Sequence, residues 1–190
     1  MSLMMEVFEL NSEGDDALLE KLNSAISLKE FKKGAVLQRQ GETANAYFVR
    51  KGLLRSYTID EKGKEHVFMF APENWLISDV ESHSNTQPAE LYIDCLEDSE
   101  VEVMNVEALK HHGLVISSLG GMDKLLRRVA VLQRRVIMLM SASALSRYQH
   151  FVETYPNIVN RVPQKMIASY LGITPEALSK IKSEQLRAGS

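Results

Sequence analysis

Most residues in this chain that could coordinate a metal or attack a substrate lack a working spacing. His66, His83, His111 and His112 show no metal-ligand pattern, and no nucleophile stands in register with a base. An enzyme built on a cupin-like β-barrel is therefore a poor reading. The single Cys95 lies in the apolar alternation Leu91-Tyr92-Ile93-Asp94-Cys95-Leu96 and reads as a small buried hydrophobe. One cysteine can hold neither an iron–sulfur cluster nor a disulfide within one chain, so no metal or cluster is expected. The spacing that does carry chemistry runs from Gln164 to Lys182. Ile167, Leu171, Ile173, Leu178 and Ile181 fall where two short, steeply crossing helices bury apolar side chains, and Ala168 is small where they touch. Gly172 follows the first helix, where a positive φ turns the chain without a Cβ clash. Thr174 caps the next helix, Pro175 takes its first position, and Glu176 suits the dipole in its first turn. Such a helix-turn-helix offers hydrogen-bonding side chains to base edges and phosphates, the signature of a DNA reader. An ordinary αα-hairpin in a bundle wants the same glycine and cap.

The charge distribution bears on that choice. Residues 122–190 hold 11 Lys and Arg against 4 Asp and Glu, whereas residues 1–121 hold 11 against 21, so the net charge of −3 hides a basic C-terminal part. That asymmetry suits a polyanionic partner for one half only, although solvated helix faces also carry charge. With 190 residues and 45% hydrophobic content, the chain can bury a core, and two modest domains fit better than one. No apolar run of 18 or more residues appears, and the N-terminus lacks the order of a signal peptide. The cytoplasm is the expected compartment, with no membrane partner.

The elements that must position the motif follow from periodicity. Residues 12–28 read as a helix, with Ser12 as a cap and Leu18, Leu22 and Ile26 at four-residue spacing. Residues 31–105 carry short β-rich runs separated by turn signals such as Lys33-Gly34, Gln40-Gly41-Glu42, Lys51-Gly52 and Asp60-Glu61-Lys62-Gly63, which predicts a small antiparallel β domain. After Gly120-Gly121, the residues Met122, Leu125, Val129, Leu132, Val136 and Leu139 repeat at heptad spacing, the seam of a paired helix. Leu126, Ile137 and Met140 offer a second apolar stripe that could pack on the chain's own β domain. Residues 144–155 read as an amphipathic helix with Leu145, Tyr148, Phe151 and Val152 on one face, ended by Pro156.

This arrangement resembles the Crp/Fnr family of bacterial transcription regulators along nearly the whole chain. The matching pieces are Phe31-Lys32-Lys33-Gly34, Gly41-Glu42 followed by Tyr47-Phe48-Val49 and Gly52, and Cys95-Leu96-Glu97-Asp98-Ser99-Glu100-Val101. From Ser146-Arg147-Tyr148 through Pro156, Arg161-Val162-Pro163 and Ile167 to Glu176, the chain is similar to a short-tailed branch found in Bacteroidetes. The resemblance implies an α+β protein with an N-terminal antiparallel β-roll, a jelly roll like cyclic-nucleotide-binding domains, then a long dimerisation helix and a C-terminal helix-turn-helix. The corresponding domains are 1–121, 122–143 and 144–190. It also implies a homodimer that binds an inverted-repeat DNA operator. Carried over position by position, Glu176, Ser179 and Lys180 become base readers, and Arg161, Lys165 and Lys182 are assigned to phosphates.

Two departures qualify the resemblance. Ile77 and Ser78 stand where cyclic-nucleotide binders carry Gly and Glu, and Ala89 stands where they carry the Arg that pairs the phosphate. Asp79, Glu81 and Glu90 make the segment acidic, and a buried phosphate without a cationic partner is costly. Cyclic AMP or GMP is therefore not the expected effector in the usual mode. Trp75, Ser78, His83 and Tyr92 are the candidate lining for another small-molecule or protein effector, whose identity stays unknown, though Trp and Tyr in a β-roll also serve as core. Only eight residues follow Lys182, too few for the β-hairpin wing that many relatives lay on neighbouring phosphates. The first expectation is a homodimeric transcription regulator and not an enzyme. The alternative is a small-molecule- or protein-binding module with a vestigial tail that does not bind DNA.

Overall fold

A computed structural model describes residues 16–85, 87–111 and 132–188. Their contacts divide into two compact units, residues 16–58 with 68–111, and residues 59–67 with 132–188. The sequence-expected boundary at 121 lies outside the described residues, as do Ser12, Met122, Leu125, Leu126 and Val129.

The first unit opens with helix α1 (Asp16–Ala25), which buries Leu22 and Ala25. The expected helix through residue 28 stops earlier. Ile26, counted above in its four-residue spacing, instead begins β1 (Ile26–Phe31) and pairs with Met104 of β8 (Ser99–Met104), so a sheet partner overrides the local period. The β domain therefore starts five residues before the expected residue 31.

Two four-stranded sheets form the roll. One has the order β1-β8-β3-β6, with β3 at Ala46–Lys51 and β6 at Leu76–Ser78. The other has the order β2-β7-β4-β5, with β2 at Val36–Gln38, β4 at Leu54–Ile59, β5 at Glu65–Ala71 and β7 at Tyr92–Cys95. The chain passes repeatedly from one sheet to the other, as a jelly roll requires. Because side chains alternate across each strand, Tyr47 and Val49, Val101 and Val103, Leu54, and Ile93 with Cys95 converge in one core cluster. Burial pushes the Cys95 thiol up to about 11, as its apolar setting in the sequence anticipates. At Gly52, φ is 97° and a Cβ would strike Ser99 and come within 2.7 Å of the Asp98 carbonyl oxygen, so only glycine fits this turn. Short helices α2 (Val80–Asn85) and α3 (Val106–His111) complete the described part of this unit.

The second unit is helical apart from the β4–β5 hairpin, residues 59–67. The Asp60 carboxylate ties the hairpin turn, accepting from the Lys62 and Lys64 N–H groups at 2.9 and 3.0 Å and meeting His66 Nε2 at 2.8 Å. The His66 contact, then the backbone bonds, holds this carboxyl below its ordinary range. Helix α4 (132–141) is followed by α5 (Ala144–Thr154), α6 (Gln164–Leu171) and α7 (Pro175–Ala188). Ser143 caps α5 by accepting from Ser146 N at 3.1 Å. The face of α5 differs from expectation: Tyr148 and Phe151 are buried, whereas Leu145 and Val152 are exposed. Three aromatic rings decide which face turns inward, with Phe151, Tyr155 and Tyr170 centroids 5.3 to 5.7 Å apart. Among the described residues, no helix is long and apolar enough to cross a membrane.

Candidate nucleic-acid interface and effector pocket

Helices α6 and α7 meet at the turn the sequence anticipates. Gly172 is left-handed, with φ 66° and ψ 35°, and its N–H goes back to the Ala168 and Ser169 carbonyls. Thr174 Oγ1 accepts from Ala177 N at 3.2 Å, satisfying a free donor at the start of α7. Backbone N–H donation at this helix start, then the Thr174 hydroxyl, lowers the Glu176 pKa and keeps it ionised. Ile167, Ala168, Leu171, Leu178 and Ile181 are all buried between the helices.

With those apolar residues inside, α7 turns a polar face outward. Glu176, Ser179 and Lys180 are exposed and fall within an arc of about 100° on the helix. The Lys180 side chain is 77% exposed, and its Nζ lies 3.9 Å from Glu184 Oε1, a surface pair too weak to hold it in place. Lys165 is exposed at the first turn of α6, while Arg161 and Lys182 are half-buried.

Sequence reasoning missed the residue that ties these helices to α4. The Arg147 guanidinium donates to the Leu139 carbonyl at 2.8 Å, to Ala142 at 3.1 Å and to Leu171 at 3.1 Å. One cation thus takes carbonyls at the end of α4, just beyond it, and at the end of α6, where the helix dipoles favour positive charge. On α4, Leu132 is 47% exposed, Val136 55%, Ile137 54% and Met140 81%, while Leu139 is half-buried.

In the roll, the segment after β6 is built differently from a phosphate cradle. Ile77 is fully buried in the core cluster, and the Ser78 backbone pairs with Ala46. The buried Asp79 carboxylate serves the loop itself, accepting from Glu90 N at 2.7 Å, Leu91 N at 3.0 Å and Ser82 N at 3.4 Å. Ala89 is buried, and its backbone is bonded on both sides to the β2–β3 turn: Gly41 N donates to its carbonyl at 2.8 Å, and its own N–H donates to Glu42 O at 2.9 Å. Beside it opens a cavity of about 510 Å³ lined by Gln40, Gly41, Glu81, Gln87, Pro88, Ala89 and Glu90. Trp75, Ser78 and Tyr92 are not among those lining residues. Trp75 packs against the core cluster, and the side chain of His83 lies outside the described residues.

Tyr92 belongs to a different group, on the face of β7 opposite Ile93. Its ring stacks on Tyr57 with centroids 5.3 Å apart, and the Arg55 guanidinium sits 4.1 Å from the Tyr57 centroid. Arg55 is 5% exposed and makes a two-point pair with Asp94, Nε to Oδ1 and Nη2 to Oδ2, each 2.9 Å. Such a fork satisfies both ions as they leave water. The Arg55–Asp94 register across β4 and β7 is invisible to a one-dimensional reading. Among the described residues, no group of three or more His, Cys, Asp or Glu could hold a metal ion.

Residues 28–111 match the cyclic nucleotide-binding domain family. No curated protein matches the chain. Among solved structures, FixK2 of Bradyrhizobium japonicum is 18% identical, with 86% of each chain covered and a TM-score of 0.68. The c-di-GMP-responsive global regulator CLP of Xanthomonas campestris is 13% identical over 92% of this chain and 93% of its own, with a TM-score of 0.69. A CRP/FNR-family transcriptional regulator of Thermus thermophilus is 19% identical over 86% of this chain and 87% of its own, at 0.61. At these identities the likeness establishes the fold: an antiparallel roll of the cyclic-nucleotide-binding type joined to helices, an α+β architecture.

Proposed function

From a chain whose residues 28–111 match the cyclic nucleotide-binding domain family and whose structural neighbours include Crp/Fnr transcription regulators, we propose a DNA-binding transcription regulator of the Crp/Fnr type, homodimeric and cytoplasmic, of the Bacteroidetes branch. The observation that carries this reading is the outward face of α7. Glu176, Ser179 and Lys180 project together beside a capped, glycine-hinged turn, with Leu178 and Ile181 locking the opposite face inward. Glu176 can accept from cytosine N4 and Lys180 can donate to guanine O6 and N7, while Arg161, Lys165 and Lys182 meet phosphates. The exposed apolar residues of α4 support a second copy of the chain as the partner, since Leu132 and Val136 continue the heptad seam that the sequence starts at Met122.

The roll senses an effector other than cyclic AMP or GMP in their usual mode. Ile77 fills the core where a phosphate would need open backbone, Ala89 supplies no cation, and Glu81 and Glu90 give the neighbouring cavity the wrong charge for an anion. Recovery of bound DNA fragments from cells tests function and yields the operator together. The expected result is a set of inverted repeats with half-sites roughly 34 Å apart or a multiple of that spacing. Undetectable binding at low salt by the intact dimer favours a protein- or ligand-binding module with a vestigial tail.

A further inference from the structure

Strand β5 ends the sheet β2-β7-β4-β5, so among the described residues one side of its backbone has no strand partner. In the helical unit, that side is met by side chains. Ser169 of α6 does the work of a missing strand: its Oγ accepts from Val67 N at 3.0 Å and donates to the Glu65 carbonyl at 3.0 Å. A hydroxyl can satisfy both demands at once because it is donor and acceptor together. The Val67 carbonyl, on the same side, accepts from Arg135 Nη2 of α4 at 3.4 Å. Arg135 in turn lies 4.2 Å over the ring of Tyr170, the residue next to Ser169. The free edge of β5 is thus bonded to α4 and α6 through two side chains.

We propose that Ser169 is a positioning residue for DNA reading: its hydroxyl registers α6, and with it the reading face of α7, on the edge of β5. The inference rests on the DNA-binding reading above. Ser169 is not among the surfaces assigned to DNA. Lys165 at the start of α6 and the Glu176, Ser179 and Lys180 face of α7 stay exposed while the bonds to β5 are in place. Edge attachment and DNA binding are therefore compatible, and attachment orders the reader in advance. The orientation energy is then already spent when DNA arrives. By linkage, DNA that favours the attached state must tighten the attachment in return.

The test uses the full-length protein with Ser169→Ala and Ser169→Thr, reading operator affinity and the exchange rate of the Val67 amide hydrogen. Ser169→Ala should speed Val67 exchange roughly three- to tenfold, as loss of a single net hydrogen bond allows, and should weaken operator binding by a similar factor. The salt dependence should not change, because no phosphate contact is lost. Ser169→Thr, which keeps the hydroxyl, should restore both, and operator DNA should slow Val67 exchange in the wild-type chain. If Ser169→Ala leaves Val67 exchange unchanged, or binds the operator as tightly as wild type, the proposal is overturned while DNA reading stands. A wild-type chain that binds no DNA overturns both.

Discussion

Lys180 and Lys182 stand two residues apart on α7 yet differ in their surroundings, the first exposed on the reading face and the second half-buried beside it. Their substitutions should separate accordingly. Lys180→Ala should relax preference at one base pair and cost about 1–3 kcal/mol on the operator, whereas Lys182→Ala should weaken all sequences alike and lower the salt slope by about 1. Equal losses on every sequence for both variants would remove the reading role of Lys180. In the roll, Asp94→Asn removes the counter-charge of a buried guanidinium and one arm of its two-point pair. Breaking such a pair should destabilise the protein by about 3–5 kcal/mol in urea unfolding, and a loss below about 1 kcal/mol would mean that water or other partners already compensate Arg55. Gly172, Thr174 and Pro175 were legible in the sequence because turn and cap chemistry is settled within four or five residues. Asp79, Arg55 with Asp94, and Ser169 were not, since their partners lie 11, 39 and 102 residues away.

Periodicity located the helices of the second unit but not always the face each one buries. It reports spacing and is blind to the neighbour, which is why α1 gives up Ile26 to a strand and α5 buries Tyr148 and Phe151 of its four expected apolar residues while leaving Leu145 and Val152 exposed. The α6–α7 turn should be sensitive to backbone conformation more than to space. A Cβ on Gly172 would meet nothing nearer than 3.6 Å, at Arg147, but would have to adopt φ 66°. Gly172→Ala should therefore cost about 1–2 kcal/mol, read as a lower melting temperature, and no change in melting would show the turn relaxing out of the left-handed region. On α4, Leu132→Asp with Val136→Asp should convert the dimer to monomer in sedimentation, since both would bring unpaired charge into the seam. A double variant that stays dimeric would assign that stripe to another surface.

Across the whole molecule, the charge asymmetry between the two sequence halves was plain from composition, and it suits the proposed polyanionic partner. The roll should bind cyclic AMP with no measurable heat at micromolar concentration, given Ile77, Ala89 and the Glu81 and Glu90 carboxylates. A micromolar dissociation constant would mean that other groups supply the missing cation. The sequence could not reveal that residues 59–67 join the helical unit, because contiguous domains are the default when only order along the chain is visible. That joining has a consequence for the newborn protein. Val67 and Ser169 are 102 residues apart, so at ribosomal rates Ser169 is made roughly 5–20 s after Val67. Throughout that interval the edge of β5 is a bare template open to any passing strand. Folding of the roll therefore does not by itself end the nascent chain's exposure to aggregation, which lasts until the last helices arrive to close the edge.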